Sequence, residues 1–395
     1  MIIRRRNREK GSTLLLIGWI LGIMGVIATF LVYRAEVEWA AVSAWEIRER
    51  MQEIAEQQLG ERLALLAGDD TPSDSPGDAW YGGNGRIALN QNGCRMILLI
   101  EDEGAKPNLN CLKEAALKEL AADADIRIDP ILDWRDSNDD PVSDSGAENA
   151  YYGSLTPPFQ ARNGFFSSLE ELKQLKDGRR LYDLIAPEAT VFGRIDPNLL
   201  DEEGMRSLLV SLGFAKTRAE MIAADFQNKH RTKRFTALTD FEPLNGMDIL
   251  RLHVLKPYLQ FSAVCNLNFM SRKGLAALLT DCGLDKGKAK TLIQARSQEP
   301  FTDIAQISGL LGLPAGTNGQ PLAAADCFTV VSTVFRIRVW VVRDGATYYL
   351  ETVQQRRPAG RGWRVEPLTW KVLLNQEAPA VPAEESANTE ESLLP

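Results

Sequence analysis

An uncharged apolar run from Leu14 to Tyr33, introduced by Arg4, Arg5, Arg6, Arg8 and Lys10, constrains this chain more than any other feature. At about 1.5 Å per helical residue, Ser12 to Tyr33 would cross a hydrocarbon layer of roughly 30 Å. The one-sided basic flank sets the orientation. The basic end is expected in the cytoplasm and everything after Arg34 in the opposite compartment, which is the periplasm if the host is a Gram-negative bacterium.

The pattern continues beyond the membrane. Val37, Ala41, Ala44, Ile47, Met51, Ile54, Leu59 and Leu63 recur at three- to five-residue steps among Glu, Gln and Arg, the mark of an amphipathic helix. No proline interrupts residues 12–67. One spine helix of about 80 Å is therefore expected, half in lipid and half packed on a head. The stripe is too short for the several regular heptads a coiled coil needs.

Residues 68–85, rich in Gly, Asp, Ser and Pro, read as a loop. Arg86–Asn90 and Arg95–Glu101 have strand composition around a Gln91-Asn92-Gly93 turn. Strand composition returns only at Cys327–Arg343, which Asp344-Gly345 turns into Thr347–Gln354, with a further strand at Trp363–Val372. Between these groups the pattern is helical. The expected fold class is α+β: a long N-terminal helix packed on an antiparallel sheet, with a large inserted all-α domain. In residue terms, 12–67 form the anchor and spine, 68–111 and 326–375 a discontinuous sheet domain, and 112–325 the insertion, whose ends should lie close together. The tail, 376–395, has too little apolar material for a core and reads as disordered.

The net charge of −8 argues against nucleic acid, which needs a concentrated basic surface. Residues 282–289 look like a helix-hairpin-helix, but Asp285 puts a negative charge where a phosphate would approach, so a structural hairpin is expected. The same stretch is one residue short of a P-loop and has Ala289 where magnesium needs Ser or Thr. Neither G-x-S-x-G nor H-E-x-x-H occurs, and no acid/base pair stands out, so the chain is not read as an enzyme. Cys94, Cys111, Cys265, Cys282 and Cys327 fall beyond the anchor, where disulfides form, yet an odd number leaves at least one thiol. Their spacing assigns no pairs, and scattered core thiols fit as well. With only His230 and His253, zinc is not expected.

The acidic stretch from Asp129 to Glu148 places oxygen ligands at one-, two- and three-residue steps on a loop, which suits calcium. The alternative is a solvated acidic loop. Asp136, Asn138 and Asp140 match the opening of an EF-hand, but the sixth position lacks glycine and Glu148 falls one place late, so that motif is rejected.

Two resemblances sharpen this reading. Lys10-Gly11-Ser12-Thr13-Leu14-Leu15 resembles the prepilin-peptidase site of type IV pilins and pseudopilins, where cleavage after glycine retains the apolar segment. The resemblance makes residues 1–11 a leader and Ser12 the new terminus, a departure from the family's phenylalanine. Leu16 then stands at the fifth mature position, where ordinary pilins carry a glutamate that pairs with a neighbour's terminal amine. A carboxylate within hydrocarbon is costly unless paired, so its absence suits a subunit with no earlier neighbour.

The segment from Ile131 to Pro141 followed by Gly146 to Tyr152, supported by Asn108-Leu109-Asn110, Pro158 to Gly164, Ser168 to Leu172 and Asn266-Leu267-Asn268, resembles the K-type minor pseudopilins of bacterial type II secretion systems. The resemblance implies a pilin-like fold, an inner-membrane anchor with a periplasmic head, and a place at the tip of the pseudopilus, nucleating or capping it for protein export. It implies a hetero-oligomer with I- and J-type minor pseudopilins and other pseudopilins, processing by prepilin peptidase, and assembly through Val37, Ile47 and Met51. It further implies structural calcium in the insertion, with Asp133, Asp136, Asn138, Asp140 and Glu148 as candidate ligands and Asp129 and Asp139 as additional ones. Rival readings are a minor pilin or calcium-dependent adhesin of a type IV pilus-like filament, and a membrane-anchored periplasmic enzyme.

Overall fold

The computed structural model describes residues 8–122, 126–263, 265–313, 324–360 and 362–379. Residues 1–7 of the expected leader and 380–395 of the expected tail lie outside the described residues.

Helix α1, Arg8–Gly68, runs 61 residues without a break, through the helical backbone of Gly11 and Ser12. Its most apolar window has a mean hydropathy of 2.5, long and apolar enough to cross a membrane. Leu16 and the large apolar side chains around it are exposed along this stretch. Farther along, the stripe divides. Val37, at 50% exposure, remains open with Trp39, Val42 and Trp45, and Ile47 is partly buried. Met51, at 3%, is inside the head's own core. The expectation that Met51 serves assembly is thereby corrected: the sheet docks on α1 from this point onward, and one continuous apolar stripe faces first outward and then inward.

Five antiparallel strands stand in sequence order: β1 (Arg86–Gln91), β2 (Cys94–Asp102), β3 (Val334–Arg343), β4 (Ala346–Ala359) and β5 (Gly362–Leu374). Asn92 (φ 52°) with Gly93 (φ 75°), and Asp344 (φ 49°) with Gly345 (φ 79°), supply the left-handed pairs that two-residue hairpins require. Met96, Leu98 and Ile100 of β2 and Phe335, Ile337, Val339 and Val341 of β3 join Ile54, Ala55 and Leu59 of α1 in one core. On the other face Arg338 pairs with Glu101 at 2.8 Å and Arg336 with Glu103 at 2.9 Å. The strand expected to begin in the Cys327 run starts only at Val334. Phe328 and Val330 are instead drawn into the helical core, an apolar burial that β propensity alone does not distinguish.

Residues 103–333 separate β2 from β3, yet Asp102 and Phe335 face each other in register, so this segment leaves and returns at adjacent points of one sheet. Among the described residues, its α-helices of five residues or more are α2 (Glu114–Leu120), α3 (Asp129–Arg135), α4 (Asn149–Gly153), α5 (Gly178–Ile185), α6 (Glu202–Ser211), α7 (Lys216–His230), α8 (Ile249–Leu255), α9 (Arg272–Asp281), α10 (Lys288–Gln298) and α11 (Ile304–Leu311).

A single local arrangement recurs three times within it. Asn108-Leu109-Asn110, Asp196-Pro197-Asn198 and Asn266-Leu267-Asn268 precede α2, α6 and α9. In each, the first side chain accepts the amide of the third residue, at 3.0, 2.9 and 2.9 Å. The third side chain then brackets a distant phenylalanine peptide. Asn110 accepts Phe166 N–H at 2.7 Å and donates to its carbonyl at 3.0 Å. Asn198 does the same with Phe235, at 2.9 and 2.9 Å, and Asn268 with Phe301, at 2.9 and 2.8 Å. Each unit closes through an isolated parallel bridge: Asn108 to Thr190, Ile195 to Leu259 and Asn266 to Thr329. These clamps satisfy backbone groups that a short loop inside a helical core would otherwise leave unpaired.

At the α9–α10 turn Gly283 has φ +72°, and Asp285 Oδ1 accepts the Gly287 amide at 2.8 Å. The amide that could have faced a phosphate is thus capped from within.

Candidate metal centre

In the second and third units the paired helix is followed closely by the clamped phenylalanine: α7 ends at His230 before Phe235, and α10 at Gln298 before Phe301. In the first, residues 136–165 intervene between α3 and Phe166, and the acidic residues lie in and beside this extension. The expectation of a simple loop is corrected here. Pro130 sits in the first turn of α3, where its missing N–H costs nothing. Asp133 is on α3, Asp136 is its C-cap and Glu148 is the N-cap of α4.

This frame brings Asp133, Asp136 and Glu148 together, with one carboxylate oxygen of each within 4.8 Å of the others. Two oxygens on opposite sides of one calcium ion are about 4.8 Å apart. All three are buried, at 0%, 7% and 3% exposure, which excludes a solvated acidic face.

Hydrogen bonds fix two of them from outside. Asp133 Oδ1 accepts Val142 N–H at 2.8 Å and Oδ2 accepts Ala147 N–H at 2.6 Å. Asp136 Oδ1 accepts Asn138 N–H at 3.1 Å. Both oxygens of Glu148 are buried with no hydrogen-bond partner. Burial, then the charges of Asp136, Asp133, Asp139 and Asp140, pushes the Glu148 carboxyl up to about 8. Asp136 is raised to about 6 by burial and then by Asp133, and Asp133 is raised chiefly by burial. Such carboxyls are poised either to hold a proton or to share a cation.

The remaining candidates stand differently. Asn138 Oδ1 accepts Asp140 N–H at 2.7 Å, shaping the turn, and Asp140 is exposed. Asp139 accepts Asn163 Nδ2 at 2.8 Å and also bonds Asn149. Asp129 accepts Ser143 Oγ at 2.8 Å. Ser137 ties the loop to α6 through Glu203, at 3.0 and 3.1 Å.

Two residues escaped the sequence reading as parts of this site. Asn163, at φ 47°, donates to Asn138 O at 2.8 Å, and its own Oδ1 is buried without a hydrogen-bond partner. Gly146 passes so close to Asp133 that a Cβ there would lie 2.1 Å from Oδ2. Only oxygen donors converge, and the unpaired Glu148 oxygens are the observation that fits a hard divalent cation.

This extension falls within the segment that matches a known family: the model described as "Type II secretion system (T2SS), protein K" covers residues 109–194. Over this segment the chain is similar to type II secretion protein K. Protein K of Aeromonas hydrophila is 43% identical over 60 residues, 15% of this chain and 18% of that protein. Protein K of Pseudomonas aeruginosa is 25% identical over 210 residues, 46% of this chain and 62% of that protein. The chain thus spans less than two thirds of either protein K that it matches. A solved structure described as the GspK-GspI-GspJ complex from the enterotoxigenic Escherichia coli type 2 secretion system aligns at a TM-score of 0.48 and 12% identity, over 84% of this chain and 98% of that one.

Proposed function

We propose that this chain is a minor pseudopilin of a type II secretion system, anchored in the inner membrane by α1 with its head in the periplasm. The observation that carries the reading is the protein K match over residues 109–194, in a head that hangs on a long, apolar, exposed N-terminal helix. Its role is structural. Prepilin peptidase cuts after Gly11, and the open spine positions Val37, Trp39, Val42 and Trp45 pack against I- and J-type minor pseudopilins. The broad helical segment on top of the sheet leaves growth of the filament only below it, and Leu16 spares the subunit an unpaired carboxylate in hydrocarbon, so the chain sits at the tip.

Calcium at Asp133, Asp136 and Glu148 neutralises three buried carboxylates and locks α3 to α4, with Asn138, Asp139, Asp140 and Asn163 available to complete the oxygen shell. The ion supplies charge, not chemistry on a substrate.

The decisive experiment is mass spectrometry of the membrane-extracted chain joined to co-purification with its candidate partners. A terminus at Ser12 and retention of the I- and J-type subunits are expected. A chain that keeps Met1, or one released from its anchor beyond Tyr33, would overturn the assignment.

A further inference from the structure

A second group of carboxylates converges in the loop that follows α1. Asp69, Asp74 and Asp78 each bring one carboxylate oxygen within 4.8 Å of the others. Asp74 is the hub, at 2% exposure. Its amide donates to the Val330 carbonyl at 2.7 Å, and its own carbonyl accepts Asn266 and Asn268 at 3.1 and 3.0 Å. Its Oδ2 accepts the Ser332 amide at 2.6 Å and Arg356 Nη2. Only Oδ1 is left over, buried and without a hydrogen-bond partner. A buried carboxylate oxygen in that position calls for a positive partner. Arg356 is already committed, to Asp74 Oδ2 and, at 3.0 Å, to Asp69 Oδ2, and its guanidinium is held over the rings of Trp363 and Phe335, at 4.3 and 5.1 Å. Three carboxylates less one guanidinium leave two negative charges, the charge that one divalent cation cancels.

We propose that Asp69, Asp74 and Asp78 bind a second hard divalent cation, of the calcium class, which fastens the loop after α1 to the sheet. The site shares no residue with the Asp133 group. Its side chains are already fixed from outside: Asp69 Oδ1 accepts the amide and hydroxyl of Thr71 at 3.0 and 2.6 Å, and Asp78 Oδ2 accepts the Ser75 amide at 2.9 Å. A carboxylate oxygen has more than one lone pair, so these bonds leave room for a cation. The donors are all oxygens on one short loop, which adapts to calcium's irregular shell more readily than to magnesium's octahedron. Through Arg356 the ion would brace the loop against β4, and through the Asp74 backbone it would brace the same loop against the third repeated unit. A proton is the rival occupant. Burial raises the Asp74 carboxyl to about 6, so a trial above that pH separates the two.

The test uses the full-length chain, extracted in detergent and stripped with chelator, with calcium chloride as the probe at about pH 7.5 and about 0.15 M salt. Glu148→Gln disables the first site, and calorimetry should still find one equivalent of calcium bound. Adding Asp78→Asn should abolish that equivalent. Hydrogen exchange reads the same loop with all three aspartates intact: in Glu148→Gln, calcium should slow amide exchange across residues 69–78 at least tenfold. Should Asp78→Asn fail to fold, the exchange measurement decides. No calcium uptake by Glu148→Gln, equal uptake with and without Asp78→Asn, or loop exchange that calcium leaves unchanged would each overturn the proposal.

Discussion

The Asp133 carboxylate occupies the space that a side chain on residue 146 would need: a Cβ built on Gly146 lies 2.1 Å from Asp133 Oδ2. Asp133 cannot simply swing aside, because the amides of Val142 and Ala147 hold both of its oxygens. Gly146→Ala is therefore expected to weaken calcium binding at least tenfold and to destabilise the head by about 1–3 kcal/mol. Calcium titration calorimetry and denaturant unfolding would measure both, and unchanged binding would show that the loop tolerates the extra carbon.

The metal-free head should respond to pH in an unusual sense. Burial and neighbouring carboxylates raise Glu148 to about 8 and Asp136 to about 6 in the folded protein, above ordinary carboxyls at about 4. The folded state binds these protons more tightly than the unfolded chain, so the stability they confer is present at acid pH and is lost as pH climbs from about 4 through 8. With chelator, thermal melts should fall across that range. With excess calcium they should not, and calcium affinity should rise with pH by up to about tenfold per unit between the Asp136 and Glu148 transitions, and more steeply below them. A chelated protein that grows more stable from pH 5 to 8 would contradict the assignment.

Removing the charge itself separates the two states. Glu148→Gln should leave the chelated protein as stable as the parent or more so, since Glu148 no longer adds its charge to those of Asp133 and Asp136, yet abolish most of the stabilisation that calcium gives. Equal calcium shifts in parent and variant would remove Glu148 from the site.

The division of the spine stripe gives a different pair of outcomes. Met51→Ala removes a side chain from the core between α1 and the sheet and should cost about 2–4 kcal/mol in unfolding measurements. Val37→Ala and Trp45→Ala change exposed positions, so stability should stay within about 0.5 kcal/mol while association with other pseudopilins is reduced. If Trp45→Ala leaves co-purification intact, the open face is not where partners bind.

The three asparagine clamps predict matched losses. Asn110→Ala, Asn198→Ala and Asn268→Ala each strand an amide and a carbonyl of Phe166, Phe235 or Phe301. Each should cost about 2–4 kcal/mol in denaturant unfolding, and a negligible effect would mean that water replaces the side chain.

What the sequence disclosed and what it hid follow from the range of the forces involved. The helix from Arg8 to Gly68 and the turns at Asn92-Gly93 and Asp344-Gly345 are local, written in periodicity and in residues that accept positive φ. Whether Met51 faces outward or inward depends on a sheet whose strands are far away in sequence, and periodicity is silent on that. Asp133 and Glu148 were legible as oxygen donors. That they are buried against each other across two helices, with Gly146 making room, depends on packing that no spacing encodes. The likeness of Asn108-Leu109-Asn110 to Asn266-Leu267-Asn268 was visible in the letters, but the middle member, Asp196-Pro197-Asn198, shares the geometry with little of the spelling.

The register of Asp102 against Phe335 makes the sheet a plain up-and-down meander with a detour spliced into one hairpin. A short turn could close that hairpin and leave a miniature head. The excision would not be clean, because Asn266 and Asn268 reach back to grip the Asp74 carbonyl at 3.1 and 3.0 Å, just beyond the foot of the stalk. The detour is thus tied to the chain just after α1 as well as to the sheet, and its removal would strip the Asp74 carbonyl of both donors.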